Sequence, residues 1–116
     1  MVFLVFPFAA VAEDLTCVPD TMCIDKECQA GHDDRETITL RNWTLPRAVL
    51  HSAYGDVAVK RAKGADLLRW SGKNSQDQTE TLNVRPSDLG FEYVVELDPN
   101  SGVEKITAKG GCKVTK

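Results

Sequence analysis

Four cysteines and two histidines hold most of the reactive chemistry in this 116-residue chain. Cys17, Cys23 and Cys28 cluster, and Cys112 stands far from them in sequence. An even number of cysteines in a small exported chain reads as a disulfide framework, for which four thiols allow three pairings. Strand parity favours Cys17–Cys112 together with Cys23–Cys28. Leu15 and Cys17 share one parity, and Ile106, Ala108 and Cys112 share another, so both long-range thiols point inward provided no bulge falls at Gly110-Gly111. On the chain-entropy model the long-range bridge contributes about 4–5 kcal/mol, and the short one about 2 kcal/mol.

Zinc is the competing chemistry. Three thiolates and one imidazole make a tetrahedral shell. The spacing Cys17-x5-Cys23-x4-Cys28-x3-His32 resembles that of the Cys3His zinc fingers that bind RNA. Such fingers carry basic and aromatic residues for RNA, whereas Asp20, Asp25 and Glu27 here face a single Lys26 with no aromatic between the ligands. The finger would also leave Cys112 alone. Two disulfides are therefore expected, with no metal and no cofactor, and Cys17, Cys23, Cys28 and His32 stand as the alternative metal set.

The histidines suggest no catalyst. A serine–histidine site of the hydrolase type needs a nucleophile elbow such as G-x-S-x-G, which is absent. The cysteine spacings are wrong for a Cys-x-x-Cys oxidoreductase. His51, between Leu50 and Ser52, reads as a structural or surface residue. Asp33-Asp34-Arg35-Glu36 lacks the alternating ligands of a calcium loop. Asn42-Trp43-Thr44 matches a glycosylation sequon, a triplet common by chance. No enzyme is expected.

The elements that position these residues begin after an apolar leader. Residues 1–12, MVFLVFPFAAVA, carry no charge and end in Ala10-Val11-Ala12, a small-x-small pattern suited to signal peptidase. At about 1.5 Å per residue they span roughly 18 Å as a helix, too short for a bilayer. A basic n-region is missing, so the leader reads as incomplete at its front. Residues 13–116 then form one disulfide-stabilised β domain. A net charge of −3 and a pI of 5.3 disfavour nucleic acid as a partner. No later segment is apolar enough to span a membrane, and the expected product is a periplasmic or secreted monomer.

From Glu36 onward short β-like runs alternate with turn clusters, as in a small all-β domain of seven or eight strands. The clearest run is Gly90 to Leu97, with Phe91, Tyr93, Val95 and Leu97 on one face. It pairs across a 98–102 turn with Val103 to Lys109. Gln78 to Arg85 places Leu82 and Val84 together; Ala65 to Ser71 does so for Leu68 and Trp70, ahead of a polar loop starting at Gly72. Asp56 to Ala62 and Thr37 to Asn42 complete the set. Over 45–54 the spacing of Leu45, Val49 and Ala53, with Leu50 and Tyr54, predicts one short helix, capped by Thr44 and ended by Gly55.

Leu68-Arg69-Trp70-Ser71-Gly72-Lys73 runs from an apolar strand into that polar loop. Trp and Arg are enriched at binding hot spots, so Trp70, Ser71 and Lys73 are the candidate partner-binding residues, against a core role for the indole.

Taken together, Leu15-Thr16-Cys17, the close Cys23 and Cys28, Leu67-x-x-Trp70-x-Gly72, a Thr-Leu-Asn strand and Gly110-Gly111-Cys112 resemble a group of small exported bacterial proteins of unknown function. The resemblance implies a β-barrel or sandwich and no activity. More weakly, the chain is similar to the periplasmic inhibitors of c-type lysozyme, eight-stranded barrels that present a serine-bearing loop and a basic residue to the enzyme's acidic cleft. Ser71-Gly72-Lys73 matches the start of that family's Ser-Gly-x-x-Tyr pattern, and Asn74 and Ser75 follow with no tyrosine. Two classes of function stay open: a periplasmic binding or inhibitor module working through surface loops, and a structural or envelope-associated protein.

Overall fold

The computed structural model describes residues 13–30, 37–62, 68–97, 100 and 102–115. The 1–12 leader, His32 and the 33–36 run lie outside the described residues. Nine strands follow one another: β1 (Asp14–Ile24), β2 (Glu27–Ala30), β3 (Ile38–Arg41), β4 (Arg47–Ser52), β5 (Gly55–Arg61), β6 (Leu68–Lys73), β7 (Thr79–Val84), β8 (Gly90–Glu96) and β9 (Lys105–Thr115). Each of β3 to β8 pairs antiparallel with the next, and β1 pairs with both β3 and β9. Those contacts close β1 and β3–β9 into an eight-stranded barrel, with β2 as an extra strand on β1. Closure removes the free edges that an open sheet would expose.

Period-two alternation sorts the side chains. Leu15, Leu40, Leu50, Val57, Val59, Trp70, Leu82, Val84 and Val95 fill the interior and are at most 2% exposed. Their neighbours in sequence, such as Lys60, Arg69 and Glu96, face outward. An outer-membrane barrel shows the reverse alternation, apolar outward. Among the described residues no helix is long and apolar enough to cross a membrane.

β1 is the seam. Along one side it pairs with β9 from Asp14 to Ile24; along the other it meets β3 over Asp14 to Cys17 and β2 over Thr21 to Ile24. A register shift lies between Pro19 and Thr21. It falls in β1 after Cys17, so Gly110-Gly111 stays in register and Cys17 sits opposite Cys112, both buried. The extra residue reverses parity beyond it: Met22 faces inward with Ala108, and Cys23 lies on the outer face, opposite Cys28. Gly110 admits the bulge, because a Cβ there would lie 2.3 Å from the Val18 carbonyl oxygen.

The helix expected over 45–54 is a correction. That segment forms β4 and the start of a hairpin to β5. Ala48, Leu50 and Ser52 are its buried set, while Leu45 and Ala53, needed for a helical stripe, are exposed. As a strand the segment gains ladder hydrogen bonds from both β3 and β5, and non-local pairing outweighs a weak helical propensity. Gly55 stops no helix; it follows the Ala53-Tyr54 turn at φ 94°, a conformation that glycine adopts without strain. β6 also extends past its expected end, so Gly72 and Lys73 are strand residues.

Candidate functional site

The two ends of the barrel are closed differently. The β3–β4 and β7–β8 turns share one end with the start of β6, where Trp43, Leu89 and Leu68 pack against the core. The β4–β5 and β6–β7 turns share the other, where Ser52, Asn74 and Glu80 are buried polar side chains beside the partly buried Met22, Tyr54 and Leu97.

Glu80 is the centre of that polar end. It shares parity with Leu82 and Val84 on β7, so it points inward, and it is 0% exposed. Its Oε1 accepts a hydrogen bond from the Tyr93 hydroxyl at 2.6 Å and one from Ser52 Oγ at 3.3 Å. Its Oε2 accepts one from Asn74 Nδ2 at 2.8 Å. Among the described residues no basic side chain forms an ion pair with it. Burying a carboxylate costs several kcal/mol unless donors replace its hydration, and here three neutral donors do so. The Tyr93 hydroxyl is held neutral well above its ordinary range, first by burial and then by its bond to Glu80. Tyr54 is raised as well, by burial and then by the charge of Glu80.

The same network shapes the β6–β7 turn. Asn74 Oδ1 accepts the backbone N–H groups of Gln76 at 2.9 Å and Gln78 at 3.0 Å. Its Nδ2 donates to Gln78 Oε1 as well as to Glu80. Backbone bonds from Asn74 N to Gln78 O and from Asp77 N to Asn74 O close the turn. Asp77 adopts φ 60°, a conformation that Asp tolerates better than most residues. The result is a preorganised loop whose exposed groups are Lys73, Ser75, Gln76 and Asp77.

The candidate binding residues fall at the base of this loop with different roles. Trp70 is fully buried, its indole packed in the barrel core, so it offers no surface to a partner. Ser71 faces outward and shares a 3.3 Å hydrogen bond with Thr81. Lys73 is exposed and pairs with Asp77 at 3.5 Å. Gly72 is required by packing, since a Cβ there would sit 2.3 Å from the Ala58 carbonyl oxygen.

Cys17–Cys112 and Cys23–Cys28 are disulfides, and no described cysteine is free. That overturns the Cys3His alternative, because its three thiolates are not available as ligands. Among the described residues no group of three His, Cys, Asp or Glu side chains is arranged to hold a metal. Two disulfides mark an oxidising, non-cytoplasmic location. The β1–β2 hairpin pinned by Cys23–Cys28 also reaches β9, as Asp25 Oδ1 accepts the N–H groups of Glu104 at 2.9 Å and Lys105 at 3.0 Å.

Two surface features compare less well with the loop. His51 Nδ1 meets Asp56 Oδ1 at 2.5 Å on the outer face, and this bond, then the nearby His51 and Arg41 charges, holds the Asp56 carboxyl below its usual range. Both partners are about half exposed, so water screens the pair and nothing isolates it as a reaction site. An open groove of about 540 Å³ crosses the outer face of β6–β9. Its cations are already matched: Arg69 donates to Asn83, Lys109 lies 3.6 Å from Glu92, and Arg85 holds Asp88.

Comparison with family models, with curated proteins and with solved structures finds no match for this chain. The site therefore stands on its geometry. Glu80 and Asn74 are its central groups, and neither stands out by residue type. The available signal was parity: a glutamate two positions before Leu82 on a half-buried strand must face inward.

Proposed function

We propose that this chain is an exported, non-catalytic binding module of the periplasm or extracellular space, engaging a protein partner through its β6–β7 loop. The observation that supports this reading is the buried Asn74–Glu80 pair behind that loop. A fully buried carboxylate is a costly way to close a barrel, and apolar residues would do so more cheaply. Its effect here is to hold a surface turn in one conformation. Rigidity of that kind lowers the entropy lost on binding. The disulfides fit an exported protein, and the 1–12 leader supplies a route of export.

The test places a photocrosslinking residue at Gln76 and, as control, at the exposed Lys60 on the barrel wall. The expected result is one discrete protein adduct from the exported fraction with the Gln76 probe and none with the control. Adducts from both positions, or from neither, overturn the reading.

Inhibition of a c-type lysozyme is the second reading, favoured by the position of Ser71-Gly72-Lys73 at the base of the rigid loop. Wild type should then inhibit and Lys73→Ala should not. No inhibition by wild type removes this reading and leaves the binding module standing.

A further inference from the structure

We infer that Glu80 is a positioning residue that joins the β4–β5 turn and the β6–β7 loop into a single binding surface. The β4–β5 turn is tied to the carboxylate through a chain of two bonds: Tyr54 N donates to Ser52 Oγ at 3.1 Å, and Ser52 Oγ donates to Glu80 Oε1. The β6–β7 loop is tied to the other oxygen through Asn74, whose amide oxygen collects Gln76 N and Gln78 N. Twenty-eight residues separate Ser52 from Glu80 in sequence, and no strand pairing joins β4 to β7. One carboxylate therefore ties directly two turns that the ladder joins only through the β5–β6 pairing at Lys60–Ser71 and Arg61–Trp70. Tyr93, from β8, is the third donor and holds Oε1 in place from within the barrel.

This surface rests on the proposed function, since it extends the binding segment from the loop to Tyr54 and its turn. A partner that fits it is a protein with a polar site. The exposed groups, Lys73, Ser75, Gln76 and Asp77, carry one positive and one negative charge.

Amide hydrogen exchange of the intact disulfide-bonded protein tests the coupling without a partner. Glu80→Gln sets an amide N–H against one of the three donors, so exchange should rise about tenfold or more at Tyr54, Gln76 and Gln78 together. Leu82 and Val95, in the barrel ladder, should stay unchanged. Ser52→Ala is the milder variant and removes only the link to the first turn. It should raise exchange about fivefold at Tyr54 and at least about twofold at Gln76 and Gln78 through Glu80. A Ser52→Ala response confined to Tyr54 overturns the proposal, as does a rise of equal size at Leu82 and Val95. If the exchange pattern holds while the Gln76 probe captures nothing, the coupling stands and the binding reading fails.

Discussion

At the end of the barrel that holds the β3–β4 and β7–β8 turns, Trp43, Leu68 and Leu89 cover the core, and Cys17–Cys112 ties the first strand to the last. At the opposite end a carboxylate, a tyrosine hydroxyl, a serine and an asparagine join Met22, Tyr54 and Leu97 over the core, and the local Cys23–Cys28 bridge pins a hairpin at the same end. Apolar contacts are non-directional, so at the first end the turns take their geometry from local bonds of their own, such as Gly90 N to Asp88 Oδ1 and Leu45 N to Asn42 O, and not from the core they cover. Hydrogen bonds are directional, so the second end orients the turns it closes. The contrast is between an end closed by apolar packing and an end where one buried hydrogen-bond network ties two turns together.

The largest effect that could break this contrast comes from the disulfides. Cys17→Ser with Cys112→Ser should cost about 4–5 kcal/mol, and Cys23→Ser with Cys28→Ser about 2 kcal/mol. Denaturant titration under non-oxidising, thiol-free conditions measures both. Equal losses would show that the two ends share the load.

Next is Trp43→Ala, expected to cost about 2 kcal/mol, below the range for a fully buried aromatic residue because Trp43 is only partly buried. It should leave hydrogen exchange at Gln76 and Gln78 unaltered. A rise there would mean that the ends are not separate.

The smallest effect is at alkaline pH and belongs to the polar end. Burial and Glu80 raise the Tyr93 pKa in the fold above its ordinary value of 10.0. The neutral phenol is the form the fold favours, so its stabilisation is complete below pH 10.0 and is lost as pH rises above that value. Thermal melts should therefore fall above about pH 10, and Tyr93→Phe should make that fall shallower. An unchanged slope in Tyr93→Phe would remove Tyr93 from the alkaline transition. Tyr54, also raised, accounts for a residual slope.

Much of the barrel was legible in the chain because alternation is local. Phe91, Tyr93 and Val95 announce β8 by themselves, and Leu82 and Val84 announce β7. The stretch 45–54 misleads because its apolar residues satisfy two periods at once. Ala48 and Leu50 fit a strand, Leu45 and Val49 fit a helix, and the choice depends on β3 and β5 being present to pair. Trp70 was legible as an aromatic on an inward face, yet burial assigns it to packing. Ser71 is a strand residue as its position predicts, while Gly72 and Lys73, expected in the polar loop, belong to the strand that leads into it.

By itself the sequence determined the mainly β character and most of the faces that turn inward, since both follow from side-chain alternation over a few residues. It also supplied the parity that brings Cys17 to Cys112. Only the tertiary structure decided that the sheet closes, that the bulge falls at Pro19–Thr21, and that Glu80 meets Ser52, Asn74 and Tyr93. Those contacts join residues far apart in the chain, and their geometry depends on strand register and closure, which no local pattern encodes.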